Sequence, residues 1–195
     1  MMYITKRYQL DERMEMQMKQ FKISLVLALM LSALAACSKT SGTSSAGAAK
    51  ASSDGPAITL VTTQDSSPLT IDKALFDTPA AKEFLATGKN PYVGNADAEA
   101  KGKKIFNLYS CTQCHGPEAK GQVGPNLTGP DFHYPKNATN KGMFETVWHG
   151  TNGGMGAKGI GLMDPTDPKN GITPDELLKV IAWIRSQGKL TGNES

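Results

Sequence analysis

"NLYSCTQCHGPEAKGQVGPNL", residues Asn107 to Leu127, carries Cys111-x-x-Cys114-His115 at its centre. Two thiols beside an imidazole admit three readings: ligands of a zinc ion, a redox dithiol, or thioether attachment of haem with the histidine on the iron. Structural zinc takes four ligands, usually from two Cys/His pairs. A second pair is missing, because the remaining cysteine is Cys37 and the remaining histidines, His133 and His149, lack the short spacing of such a pair. A thioredoxin-like dithiol sits beside a βαβ unit, and no convincing strand precedes Cys111. Covalent c-type haem uses both thiols and the histidine, so it accounts for every reactive atom of the motif.

The other end of the chain bears on the same question. From Met18 the sequence runs "MKQFKISLVLALMLSALAAC": Lys19 and Lys22, an apolar run from Leu25 to Leu31, then small residues up to Cys37. That order is the layout of a secretory signal, and the apolar segment is short of the ~20 residues a spanning helix needs. Its ending, "LAAC", resembles the lipobox of bacterial lipoproteins, which implies lipidation of Cys37; the alternative is ordinary cleavage near Ala35 or Ala36. Met18 is the expected start, which makes residues 1–36 a leader. The Gly/Ser/Ala-rich stretch that follows, to residue 57, has the composition of a flexible tether. An anchored, periplasmic protein is therefore expected. With Cys37 given to lipid, the motif thiols are the only pair left.

From Cys37 onward there are sixteen basic and fifteen acidic residues, a net charge of +1. No basic stripe interleaved with aromatics is present, so a nucleic-acid partner is not expected. Roughly 140 residues follow the tether, enough for one domain. We divide them into an N-terminal extension, 58–94, and a haem-binding domain, 95–190.

Three helices are predicted. "NADAEAKGKKIFNLYS" starts at Asn95 or Asp97 and carries Ile105, Phe106 and Tyr109; Gly102 lies one turn before Phe106 on the same face. A mid-helix glycine costs about 1 kcal/mol against alanine, so close backbone packing is one reason to have it. "NKGMFETVWHG" reads as a short helix with Met143, Phe144, Val147 and Trp148 apolar and Gly150 ending it. "TPDELLKVIAWIRSQG" has Thr173 as N-cap, Pro174 at the first helical position, Glu176 to complete a capping box and Gly188 as a stop. Between them run long Gly/Pro-rich loops, uncommon in a compact domain unless functional. A haem wedged among the loops would supply the missing core. The expected fold class is all-α around one covalently bound haem.

Over Ala96 to Gly188 this arrangement resembles class I cytochrome c: Gly102 and Phe106, Cys111-x-x-Cys114-His115, "GPNL" at Gly124 to Leu127, and an aromatic in the final helix. The resemblance implies that the Pro125 carbonyl meets the second ring nitrogen of His115, which orients the ring and raises its basicity. Further out, "FDTPAAKEFLATGKNPYVGNADAEAKGKKIF", "GPNLTGPDFHYP", "NKGMFETVWHGTNGGMG" and "DELLKVIAWIRS" are similar to the cytochrome c-L group, electron acceptors of periplasmic PQQ-dependent methanol dehydrogenases. The block Phe76 to Tyr92 is the specific part, since generic cytochromes c do not share it.

Departures are visible too. The group is acidic and carries Trp in the segment matching "DFHYP", where this chain has Phe132 and His133. Lys158 to Gly171 reads as extra loop. Such differences imply a divergent branch, one serving the lanthanide-dependent methanol dehydrogenases.

The resemblance makes Met155, in "GGMG", the sixth ligand; Met163, with Pro165 close by, is the second candidate, and His133 or His149 would give a bis-histidine site. Met143 belongs to a helix core, and His149 suits a helix C-terminus. His/Met ligation raises the haem potential, as an electron acceptor requires. The expected role is thus a carrier between a methanol or other alcohol dehydrogenase and a downstream cytochrome c or oxidase, and not an enzyme. Two alternatives stand beside it: a haem-based gas binder with an open sixth position, and a cytochrome serving a different dehydrogenase or oxidase.

Overall fold

The computed structural model of the protein describes residues 57–188 and Leu190. The leader, Cys37 and nearly all of the tether lie outside the described residues. Among those described, no helix is long and apolar enough to cross a membrane.

Five α-helices follow one another among the described residues: α1 Pro79–Thr87, α2 Ala96–Leu108, α3 Thr112–His115, α4 Asn140–His149 and α5 Pro174–Gln187. Two 3-10 turns, Lys73–Leu75 and Pro135–Ala138, fill the connections. No strand forms among the described residues; backbone pairing outside the helices is limited to two isolated bridges, Val61 with Pro68 and Gly159 with Ile172. The all-α expectation therefore holds for the described part.

The three expected helices are present, and α1 and the short α3 join them. Asn95, and not Asp97, caps α2, its side chain accepting from the Ala98 N–H. Thr173 and Glu176 form both halves of the capping box on α5, which satisfies two N–H groups that the first turn would otherwise leave open. Gly188 does end α5, but in extended conformation (φ −102°, ψ −167°) rather than the left-handed turn of a typical stop. Glycine is needed there for space: a Cβ would lie 2.1 Å from the Thr128 carbonyl oxygen.

The crossing of α2 and α5 organises the core. A Cβ on Gly102 would stand 2.0 Å from the carbonyl oxygen of Lys179, so the two backbones touch where Gly102 sits. One turn on, the Phe106 ring packs on Trp183 at 4.7 Å between centroids. Both are buried, as are Leu177, Val180, Ile181 and Ile184 along the inner face of α5. At about 1.5–3 kcal/mol per large apolar side chain, this seam is a main source of stability. A second aromatic cluster, Phe76, Phe84, Phe144 and Trp148, ties α1 to α4.

Residues 57–71 run as a strap over α4. The Val61 N–H donates to the Glu145 carboxylate at 2.8 Å, and that fully buried carboxylate also pairs with Lys136 and Lys141, each at 2.6 Å. The tip of the strap is a tight turn held by Asp65. The Thr62 hydroxyl and the Ser67 N–H bring the Asp65 carboxyl down to about 2. Further along, Asn90 donates to the Leu178 carbonyl at 2.8 Å, and Tyr92 to Asp175 at 2.7 Å, so the segment before α2 is bound to α5.

Candidate functional site

The motif forms a short helix because the chain folds back on it at once. Ser110, at φ 57°, turns the backbone out of α2, and Cys111 caps α3 with its carbonyl accepting from the His115 N–H at 2.9 Å. The loop after His115 then wraps round α3: Gly121 N–H to His115 O at 2.9 Å, Gly124 N–H to Cys114 O at 2.7 Å, Leu127 N–H to Ala119 O at 2.8 Å. Gly124 packs closely in this wrap: a Cβ there would lie 3.0 Å from His115 Cε1 and 3.3 Å from Cys114 Cβ, so the imidazole would have to give by a few tenths of an ångström.

The wrap brings the Pro125 carbonyl oxygen to 2.9 Å from His115 Nδ1. A carbonyl only accepts, so Nδ1 carries the proton and Nε2 keeps its lone pair for a metal. Both thiols are free. Burial pushes the Cys111 thiol above its ordinary value, the opposite of the depressed thiol that redox exchange requires. Among the described residues no three His, Cys, Asp or Glu side chains gather as metal ligands.

His115 faces a cavity of about 250 Å³, with a narrower recess of about 30 Å³ reaching Phe106, Cys111 and Ile184. His115, Leu127, Asn137, Thr146 and Met155 line both, so the two are parts of one slot. Met155 arrives on a loop closed by its own backbone: Thr151 N–H donates to Met155 O at 2.8 Å. Gly150, at φ 82°, leaves room for that carbonyl, which a Cβ would meet at 2.6 Å.

Residues 99–188 match the family model for cytochrome c. Two solved structures resemble about two thirds of the chain. Cytochrome cL from Hyphomicrobium denitrificans is 40% identical with a TM-score of 0.57, covering 67% of this chain and 73% of that one. Cytochrome CL from the marine methylotroph Methylophaga aminisulfidivorans is 34% identical with a TM-score of 0.56, covering 66% and 79%.

The chain belongs to the cytochrome c family.

Its relatives by sequence agree. Cytochrome c-L of Methylorubrum extorquens is 43% identical over 110 residues, 56% of this chain and 50% of that protein. The cbb3-type cytochrome c oxidase subunit CcoP of Rubrivivax gelatinosus is 31% identical over 93 residues, 47% of this chain and 30% of that protein. The chain thus spans about half the length of the first and less of the second. The fold of this cytochrome is the class I c-type fold, and its cofactor is a covalently attached c-type haem.

The residues present fit that group. An apolar slot opens beside the Cys111 thiol, an imidazole with its Nε2 available, and a thioether on a facing loop; the Cys114 thiol is exposed on the same short helix and lines neither part of the slot. Met163 lines neither part of the slot; its N–H is held by Gly159 O at 3.0 Å. His133 is exposed and also lines the larger part of the slot, edge-on to Tyr134 at 4.7 Å. His149 is half-buried at the end of α4, outside both parts of the slot. Met143 is buried in the core, its side chain forming part of the recess.

Asn137 and Thr146, two buried polar residues in the wall of the slot, were invisible to pattern reading. One signal pointed to Thr146: it falls between Met143 and Val147 on a helix whose apolar residues pack into the core.

Proposed function

We propose that this cytochrome is a periplasmic monohaem electron carrier that accepts electrons from a PQQ-dependent methanol dehydrogenase and passes them to a downstream cytochrome c or oxidase. Cys111 and Cys114 would hold the haem by thioether bonds, His115 and Met155 would supply donor atoms to its iron, and Pro125 would orient the histidine. The chemistry such a group would supply is one-electron transfer through its iron. What the chain's own residues do is hold: the carbonyl of Pro125 fixes the imidazole plane, and the closed Gly150–Ala157 loop limits the movement of the thioether. No bond of a substrate is made or broken on them.

The observation that carries the choice of donor is the extent of the structural likeness. Residues 99–188 are less than half of the chain, whereas the cytochrome cL structures cover 66–67% of it. Their likeness therefore reaches into the segment before α2, the part that generic cytochromes c do not share.

The wall of the larger cavity supports a brief encounter with the donor. No Asp, Glu, Lys or Arg lines it among the described residues, and Val123 stands 85% exposed at its edge. Uncharged rims give a rate that depends little on salt. The lanthanide-dependent enzymes are the proposed donors because of Phe132 and His133 and the loop Lys158 to Gly171. Lipidation of Cys37 would tether the domain near the membrane, where a second acyl chain makes the attachment stable.

The test is rapid mixing of the oxidised cytochrome with methanol and a purified methanol dehydrogenase. Saturable reduction that needs methanol, and that 0.2 M salt slows little, is expected. No reduction by either the calcium or the lanthanide enzyme would overturn the proposal.

A further inference from the structure

The haem slot has one buried amide with work left undone. Asn137 is 6% exposed and lines both parts of the slot. Its Oδ1 accepts from the Thr146 hydroxyl at 2.7 Å. Among the described residues no hydrogen bond uses its Nδ2. The open slot leaves this donor within reach of water; a haem filling the slot would exclude that water, so a ligand atom that accepts from Nδ2 is the natural complement.

Thr146 has a choice of acceptors. Its hydroxyl reaches Asn137 Oδ1 at 2.7 Å and the Gly142 carbonyl, one turn back, at 2.9 Å, but has a single proton to give. The second is the ordinary bond of a threonine inside a helix. What biases the choice is Thr63, whose hydroxyl lies 2.8 Å from Thr146 Oγ1. When Thr63 donates to Thr146, it polarises that hydroxyl and strengthens its bond onward to Asn137. Thr63 sits on the strap, which Val61–Glu145 and Asn152–Gln64 bonds hold against α4 and the loop leading to Met155. The strap lies outside residues 99–188, so this connection is an addition to the general family fold.

We propose that Thr63, Thr146 and Asn137 form a hydrogen-bonded relay that holds the Asn137 amide as a donor to an acceptor of the bound haem unit. This rests on the reading of the slot as the haem site. The acceptor is a propionate oxygen or the axial thioether sulfur. In either case the positive end of an N–H dipole faces the group, which favours the ferrous state, and its removal lowers the potential.

The experiment is a redox titration of the full-length, haem-loaded protein and four variants, with haem content read separately by staining of a denaturing gel. Asn137→Leu is expected to shift the reduction equilibrium roughly tenfold toward the ferric form, ~59 mV for one electron. Thr63→Val and Thr146→Val should move it the same way by about threefold, and Thr146→Ser, which keeps the hydroxyl, should match the wild type. With a propionate acceptor, Asn137→Leu also changes how the potential varies with pH. With the thioether, it instead moves the methionine–iron charge-transfer band at constant pH. A wild-type potential in Asn137→Leu overturns the donor role, and a wild-type potential in Thr63→Val overturns the relay even if Asn137→Leu does not fold. Absence of covalent haem in the wild-type chain would overturn the site reading itself.

Discussion

The two sides of the haem slot are built in different ways. On the histidine side every contact is short in sequence: His115 meets Pro125, Cys114 meets Gly124, and Ala119 meets Leu127. On the methionine side the contacts span the chain. Beside the local Thr151–Met155 bond, Thr63 reaches Thr146 and Gln64 reaches Asn152. A short loop loses little entropy on closing, and its geometry follows from a few glycines and a proline. A wall assembled from distant segments forms only when the whole domain does. The first side should therefore behave as a local module, and the second as a reporter of tertiary structure.

The sharpest way to break that contrast is to remove one ligand from each side. His115→Ala should lower covalent haem incorporation severely, read by haem staining. Met155→Ala should leave haem attached but lower the potential, by on the order of 0.1 V within the ~0.8 V that axial ligation spans. The reduced Met155→Ala protein should also bind carbon monoxide, which the wild type should not. Met163→Ala should change neither property. Carbon monoxide binding by the wild type, or by Met163→Ala alone, would reverse the assignment of the two methionines.

A smaller effect tests the frame that both sides share. Gly102→Ala gains about 1 kcal/mol of helix propensity but places a methyl 2.0 Å from the Lys179 carbonyl oxygen. Backbone cannot rotate away as a side chain can, and overpacking costs about 1–3 kcal/mol, occasionally more. A net loss of about 2 kcal/mol in urea unfolding of the haem-loaded protein is expected. An unchanged or raised midpoint would mean that the helices can separate at this point at little cost.

The mildest effect concerns the link between α5 and the segment before α2. Burial, and then the hydrogen bond to Asp175, push the Tyr92 hydroxyl up to about 12. A raised tyrosine favours the neutral form in the folded state, so its contribution is complete below the unfolded value near 10. It is lost as pH rises from there to about 12. At the other extreme, burial raises the Asp175 carboxyl, but Lys179, Tyr92 and Thr78 together outweigh it and hold it below its ordinary value. That contribution is present above pH ~4 and fades as acid is added. Thermal midpoints across pH 9–12 should fall less steeply in Tyr92→Phe than in the wild type. Equal slopes would remove Tyr92 from the alkaline loss.

What pattern reading reached, and what it did not, follows the same division. Helix α5 was legible to the residue at its start, because Thr173, Pro174 and Glu176 act on their own turn. The stop at Gly188 was read correctly for the wrong reason: the glycine answers a carbonyl from Thr128, sixty residues away in sequence. Helix α1 escaped notice, although Thr78 caps it and Pro79 opens it, since its short apolar face is completed only by the Phe144 cluster. Gly102 could be singled out but not explained until Lys179 was seen against it.

By itself the sequence determined the chemistry of the cytochrome: two thiols and a histidine at fixed spacing, a proline ten residues on, and capped helices around them. These are local bonds, specified by neighbours in the chain. Only the tertiary structure decided which of Met155 and Met163 shares a slot with His115, where His133 and His149 stand, and that Thr63 reaches Asn137 through Thr146 in the slot wall. Those relations depend on how far separate helices approach, and that distance is set by packing across the α2–α5 crossing rather than by any one segment.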